Sequence, residues 1–177
     1  KIGNPMDEAT EMGTVISPEH LLKVESYIDL AEEEGGIILA GGTREMTGYN
    51  GPEGIGAFLR PTVVDNLPYT SRCATEEIFG PMVTLHSFTT EQEALRMVNS
   101  SEYGLAGSVW TSDLERGERF SSQIDSGIVW VNTWLHRDLR TPFGGVKNSG
   151  VGREGGQWSL DFFSELTNIC IKDSDGN

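Results

Sequence analysis

Gly107-Ser-Val-Trp-Thr-Ser-Asp-Leu-Glu-Arg-Gly-Glu-Arg-Phe-Ser-Ser-Gln-Ile-Asp-Ser-Gly-Ile-Val-Trp-Val131 is the stretch whose reading decides the fold. Residues 107–111 suit a pleated surface, and Ser112-Asp-Leu-Glu115 spells a capping box that opens a helix to about residue 123. Residues 128–131 are then a second short apolar strand. Strand, helix and strand in immediate succession predict a parallel α/β layer. C-terminal to it, residues 132–156 lose all periodicity and hold six glycines and one proline. A long ordered loop is expected there, and such loops in compact domains are usually functional. Residues 165–172 alternate as a terminal strand whose partner has to come from elsewhere in the fold or from another subunit.

The N-terminal side repeats the pattern. Thr90-Glu-Gln-Glu93 predicts a second capping box and a helix to about residue 100, with Ala94, Leu95 and Val98 as its apolar face. A strand is expected at 82–88. Ser17-Pro18-Glu19 combines a serine cap, a proline at the first helical position and an acid in the first turn, which predicts a helix over 18–34. Leu21, Val24, Ile28 and Ala31 recur at helical spacing along one stripe, and Glu25, Asp29, Glu32 and Glu33 fall on the opposite side. Gly35-Gly36 ends it. A short strand at 37–40, a glycine-rich surface loop over 41–56 and a strand at 58–64 complete the reading.

Composition narrows the function. The 177 residues are 37% hydrophobic, enough for a core, and 27 acids against 13 bases leave a formal charge of −14. An anionic surface of that size speaks against nucleic acid and anionic membranes as partners. No apolar run approaches the roughly 20 residues that cross a bilayer. Cys73 and Cys170 are too few for a disulfide scaffold and form no Cys-x-x-Cys pair, so a reducing cytoplasm is expected. The first residue is Lys1, and the opening residues read as the interior of a longer protein.

Several motifs carry chemistry only in the right setting. Gly150-Val-Gly-Arg-Glu-Gly155 spells a dinucleotide-binding turn, but Pro142-Phe-Gly-Gly-Val-Lys-Asn-Ser149 before it is no strand. The segment 145–152 fails as a phosphate loop because Val151 stands where the lysine belongs. Both are expected to be glycine-rich backbone that passes close to something else. Glu76-Glu-Ile-Phe-Gly-Pro81 reads either as a solvated acid pair before a turn or as a hydroxyl clamp, since one carboxylate accepts from two vicinal hydroxyls. Residues 133–153 contain Arg137, Arg140, Lys147 and Arg153 against Asp138 alone, a net +3 within an acidic chain. That balance points to an anionic ligand, or to surface pairing with local acids; an arginine fork at 137 or 140 matches a carboxylate. Cys73 follows Arg72, which favours a thiolate, yet no base is in view. His20, His86 and His136 lie far from either cysteine in sequence, and Cys170 reads as a packing residue.

Glu76-Glu-Ile-Phe-Gly-Pro81, Tyr103-Gly-Leu-Ala106, Gly127-Ile-Val-Trp-Val-Asn132 and Pro142-Phe-Gly-Gly-Val-Lys-Asn-Ser-Gly150 together resemble, in order and spacing, the C-terminal part of the NAD(P)-dependent aldehyde dehydrogenase family. Asn132-Thr-Trp-Leu-His-Arg-Asp-Leu-Arg-Thr-Pro-Phe-Gly-Gly145 is most similar to its 2-aminomuconic and 2-hydroxymuconic semialdehyde members. The resemblance implies a partial three-layer, parallel-sheet α/β catalytic domain over 1–148. A return segment toward the cofactor domain at 149–163, and an oligomerisation strand and tail at 164–177, follow from it. In this family a cysteine thiolate attacks the aldehyde, hydride passes to the nicotinamide and an activated water releases the acid. The resemblance places that cysteine, its glutamate base and most of the NAD or NADP site upstream of Lys1, so no catalytic residue is expected in this chain and the chain alone is expected to be inactive. It assigns Glu77 to the nicotinamide ribose and Phe79 to the nicotinamide itself. It assigns Leu135, His136, Arg137 and Phe143 to an aldehyde substrate, with Arg137 on its carboxylate. It further implies a cytoplasmic dimer or tetramer without a metal. A non-catalytic binding or oligomerisation module that keeps the fold is the alternative.

Overall fold

The computed structural model describes residues 1–45 and 56–172. Most of the loop expected over 41–56 lies outside the described residues. The chain divides into two compact units, Lys1–Thr90 and Glu91–Asn177.

The first unit is built on helix α1, Pro18–Glu33. Ser17 caps it by accepting from His20 N, and the buried residues are Leu21, Val24, Ile28 and Ala31, the stripe read from the sequence. Leu21, Val24 and Ile28 close on Ala57, Leu59 and Ile78, while Ala31 meets Val64, Leu67 and Cys73. Full burial of an aliphatic side chain of this kind contributes about 1.5–3 kcal/mol. Strands β1 (Ile37–Ala40), β2 (Thr62–Asp65) and β3 (Met82–Thr84) form one sheet in that order.

Two boundaries differ from expectation, for backbone reasons. The strand expected at 58–64 begins only at Thr62, because Pro61 has no N–H to give a ladder; before it, Leu59 makes an isolated bridge to Arg44. The strand expected at 82–88 stops at Thr84: Leu85 N still donates to Val64 O, but β2 ends at Asp65 and Asn66 turns away with φ +64°. β3 runs parallel to β2, as expected, across a crossover that holds the short helix α2, Arg72–Thr75. β1 is antiparallel to β2.

The second unit contains α3 (Glu91–Asn99), β4 (Tyr103–Gly104), β5 (Ala106–Val109), α4 (Leu114–Ser121), β6 (Ile128–Val131), β7 (Val146–Lys147) and α5 (Gly156–Phe163). β5, α4 and β6 are the strand–helix–strand unit of the opening stretch, with β5 and β6 parallel and paired from Ala106↔Ile128 to Val109↔Val131. The cap of α4 is Asp113, whose carboxylate accepts from Arg116 N at 3.1 Å, rather than Ser112. A negative cap at the positive end of a helix wins over a neutral one. α5 was not anticipated: Gly155 precedes it with no side-chain cap, so the usual start signal is missing. Residues 164–172 carry no strand pairing within the described chain and are exposed throughout. The large apolar residues of α5 and this tail, Trp158, Leu160, Phe162, Phe163, Leu166, Ile169 and Ile171, are all exposed. No helix among the described residues is long and apolar enough to cross a membrane.

Candidate functional site

Glu76 and Glu77 are adjacent acids with different fates. Glu76 receives Arg72 through Nε at 2.8 Å and Nη2 at 3.0 Å, and Tyr27 Oη donates to it at 2.6 Å. These bonds hold its carboxyl down to about 2, the guanidinium contributing most and the phenol next. The reciprocal effect raises the Tyr27 phenol, through its bond to Glu76 and then through burial. Glu77 is exposed, and no side chain among the described residues bonds its carboxylate. Its backbone, by contrast, is fixed: Lys23 Nζ donates to Glu77 O at 3.0 Å, and His20 Nε2 bonds Phe79 O at 2.7 Å. An acceptor carbonyl requires that Nε2 carry the proton. His20, Lys23 and Tyr27 stand at i, i+3 and i+7, so one face of α1 grips the 76–81 loop on three successive turns.

Backbone strain marks the same loop. Phe79 has φ +57° and a ring 77% exposed. A bulky residue in the left-handed region costs about 1–3 kcal/mol, and it persists only where its surroundings over-determine it. Gly80 supplies part of that restraint, since a Cβ there would lie 2.5 Å from Val24 Cγ2 in the buried stripe of α1. Pro81 O then accepts from Thr62 N at 2.8 Å and leads the loop into β3. The loop therefore presents a carboxylate with no side-chain partner among the described residues, and an exposed ring, on a fixed backbone.

The 132–155 loop presents its residues differently. Asn132, with φ +54°, extends the pairing of β5 and β6 through its side chain, accepting from Thr111 N at 2.8 Å and donating to Thr111 O at 2.7 Å. Buried Trp130 donates from Nε1 to His136 O at 2.8 Å and stacks edge-on with Trp134, which fixes the residue before Arg137. The four cations then separate. Arg140 is engaged by Asp138, Lys147 Nζ donates to Asn99 O and Ser101 O, and Arg153 donates to Gly145 O and Gly152 O. Arg137 lies with Cζ 4.0 Å from the centroid of the Phe143 ring and, among the described residues, makes one side-chain bond, from Nη2 to Glu154 Oε1 at 2.6 Å. The net +3 of residues 133–153 thus stopped one residue short of the acid that meets Arg137. Leu135 and His136 are both exposed, Leu135 with φ +56°. Phe143 and Glu154 also border an open cavity of about 350 Å³ lined further by Leu105, Ser149, Phe162 and Phe163.

The glycine-rich turn at 150–155 does precede a helix, α5, and, against expectation, a strand stands before it: β7, two residues paired antiparallel to β4, which is not the parallel strand that a dinucleotide-binding turn requires. What its backbone passes close to is the chain itself: Gly155 has φ +97°, and a Cβ there would lie 2.3 Å from Thr141 O. The cysteines are poorly placed as nucleophiles. Cys73 is buried, and burial pushes its thiol up despite the neighbouring Arg72, whose guanidinium is committed to Glu76. Cys170 is exposed in the tail instead of packed. Among the described residues no cluster of three metal-ligating side chains occurs. The supporting residues His20, Lys23, Tyr27 and Glu154 were not legible, three because they bond residues 49 to 59 positions away.

The sequence profile of the aldehyde dehydrogenase family matches residues 1–169. The chain is 46% identical over 172 residues to 2-aminomuconic 6-semialdehyde dehydrogenase of Pseudomonas sp., covering 97% of this chain and 35% of that protein. It is 45% identical to 2-aminomuconic semialdehyde dehydrogenase of Mus musculus, with the same coverage. Its backbone superposes on betaine aldehyde dehydrogenase of Staphylococcus aureus, solved in complex with NAD+, with a TM-score of 0.84 at 42% identity, covering 92% of this chain and 32% of that one. HpcC of Thermus thermophilus gives 0.86 at 40% identity, over 98% of this chain and 35% of that one. The chain spans about a third of the length of these relatives. A profile match across nearly the whole chain and a backbone shared with solved members lead to one conclusion: this chain belongs to the aldehyde dehydrogenase family, as a part of its fold.

Proposed function

We propose that the chain is the C-terminal part of an NAD(P)-dependent aldehyde dehydrogenase that oxidises a carboxylated semialdehyde to the acid. The observation that carries this is the division of labour at residues 76 and 77: Glu76 is consumed by Arg72 and Tyr27, which leaves Glu77 as a carboxylate without a side-chain partner among the described residues, on a backbone fixed by Lys23 and His20. An acceptor-only group of that kind fits two vicinal ribose hydroxyls, and the exposed Phe79 ring fits a flat heterocycle beside them. NAD(P), when bound, supplies the hydride acceptor. Within this chain, Glu77 holds hydroxyls, Phe79 bounds the ring, and Arg137 on Phe143 reads the substrate carboxylate with Leu135 and His136 beside it.

The named substrates of the muconic semialdehyde relatives support the last assignment, as does the separation of the four cations. Among the described residues, Arg137 alone of the four is stacked on an aromatic ring and held by a single side-chain bond. The setting we propose is a cytoplasmic oligomer that uses the exposed apolar tail over 164–172. By itself the 177-residue chain should not oxidise aldehydes, because Cys73 is buried with a raised thiol pKa and Cys170 has no base beside it among the described residues.

In the full-length protein Glu77→Gln keeps one acceptor and loses the charge-assisted pair, so cofactor affinity should fall by about 5- to 150-fold, equivalent to about 1–3 kcal/mol. Cofactor titration monitored by protein fluorescence measures it. Unchanged affinity at unchanged stability would remove Glu77 from the cofactor site.

A further inference from the structure

Phe143 and Glu154 form an antiparallel bridge with both bonds at 2.8 Å, Phe143 N to Glu154 O and Glu154 N to Phe143 O. Residues directly opposite in such a bridge project to the same side. Arg137 lies across the pair: its guanidinium sits over the ring and one of its nitrogens meets one oxygen of the acid. We infer that Glu154 is a specificity-determining residue, a resident carboxylate that competes with the substrate carboxylate for Arg137. The inference rests on the reading of Arg137 given above and concerns what the arginine does before substrate arrives.

Two roles for Glu154 are physically distinct. As an orienter it would hold the guanidinium in place, and its loss would weaken substrate binding. As a competitor it partly neutralises the arginine, and its loss would strengthen binding. The geometry decides between them. The guanidinium is already placed over the Phe143 ring, with Cζ 4.0 Å from its centroid, and His136, the residue before Arg137, is anchored by Trp130. Orientation is thus supplied twice without Glu154. The bond to Glu154 uses one nitrogen and one oxygen, and the side chains are 39% and 59% exposed, so solvent screens the pair. Such a pair opens readily, and an incoming carboxylate takes its place. Glu154 then raises the threshold for carboxylated aldehydes and leaves neutral ones untouched.

The test uses the full-length enzyme with 2-hydroxymuconic semialdehyde as the carboxylated probe and hexanal as the neutral one. Glu154→Gln keeps the size and one acceptor for Arg137 while removing the charge. It should lower KM for the carboxylated probe by about two- to fivefold, the range open to an exposed ion pair, with hexanal kinetics unchanged. In an Arg137→Ala background the same substitution should do nothing. Glu154→Ala leaves the backbone bridge intact and carries the same expectation if the glutamine variant folds poorly. If Arg137→Ala raises KM for the carboxylated probe by about tenfold or more and Glu154→Gln raises it or leaves it alone, the competitor role is overturned and the arginine assignment stands. If Arg137→Ala treats both aldehydes alike, both fall together.

Discussion

Residues 76–81 are held from outside, by three successive turns of α1 that bond Glu76, the carbonyl of Glu77 and the carbonyl of Phe79. Residues 132–155 are tied outward through Asn132, His136 and Lys147, but their three arginines are held from within: Asp138 engages Arg140, Arg153 bonds Gly145 and Gly152, and Glu154 bonds Arg137. The first arrangement ties the loop to a buried helix, and a carboxylate without a side-chain partner among the described residues is presented at a fixed place. The second includes two exposed ion pairs, Arg137–Glu154 and Arg140–Asp138, in which a ligand of like charge is able to replace one partner. A group that must meet a cofactor in one pose suits the first; a group that must choose among substrates suits the second.

The sharpest way to break this comparison is to insert one methyl group into each loop. Gly155→Ala puts a Cβ on a residue with φ +97° and 2.3 Å from Thr141 O, a backbone atom with no rotamer to escape into. Left-handed strain and collision together should cost about 2–5 kcal/mol. Gly80→Ala meets the Val24 methyls at 2.5 and 2.8 Å. A side chain yields more readily than a carbonyl, so about 1–3 kcal/mol is expected there. Urea unfolding of the full-length variants gives the order. A smaller loss for Gly155→Ala would mean that the self-held loop is the softer of the two at its backbone as well.

Much of the outside-held region was legible in the sequence. The α1 stripe and its serine cap follow from spacing and local chemistry alone, whereas Glu77 is told apart from Glu76 only by the family resemblance. What holds the loop was not legible. His20, Lys23 and Tyr27 interleave with the wet positions of α1, and nothing local says that residues so far along the chain will meet them. In the second unit the local signals were weaker still. α5 lacks a capping side chain, the cap of α4 moved from Ser112 to Asp113, and the +3 count ended one residue before the acid that matters. Local rules fail there because ion pairs and glycine turns are settled by tertiary contact.

A smaller effect separates the outside support from the self-support. Tyr27→Phe removes only the phenol bond to Glu76. One such hydrogen bond contributes about 0.5–1.5 kcal/mol net, so cofactor affinity should drop by about 2- to 10-fold although Tyr27 touches no ligand, and KM for the aldehyde should hold. Arg140→Ala removes an exposed cation already engaged by Asp138. KM for carboxylated and neutral aldehydes should then stay within about twofold. A selective loss at Arg140→Ala would move the carboxylate reader from Arg137 to Arg140 and leave the loop as the site.

The smallest expected effect is an acid titration that reads the two supports separately. Glu76 is held down to about 2, chiefly by Arg72 and then by Tyr27. A free glutamate titrates at about 4.3. Between those values the unfolded chain binds more protons than the folded one, so stability rises with pH across the window. The contribution is complete above about pH 5 and disappears as pH falls through about 2. Glu76→Gln should flatten that part of the curve, measured as urea midpoints from about pH 5 down to about 2.5. Asp138 is also lowered, by the Arg140 guanidinium first and the Arg140 backbone N–H second, so Asp138→Asn should remove a separate portion with the same sign. Both carboxylates are solvent-exposed, and added salt should shrink each portion by screening the guanidinium. The hydrogen bond from Tyr27 is not screened in the same way. A residue of the Glu76 portion should survive high salt in the parent protein and vanish in Tyr27→Phe, whereas the Asp138 portion, which has no neutral side-chain donor behind it, should ignore the tyrosine. Identical salt sensitivity of the two portions, or a response of the Asp138 portion to Tyr27→Phe, would show that the two loops are not supported independently.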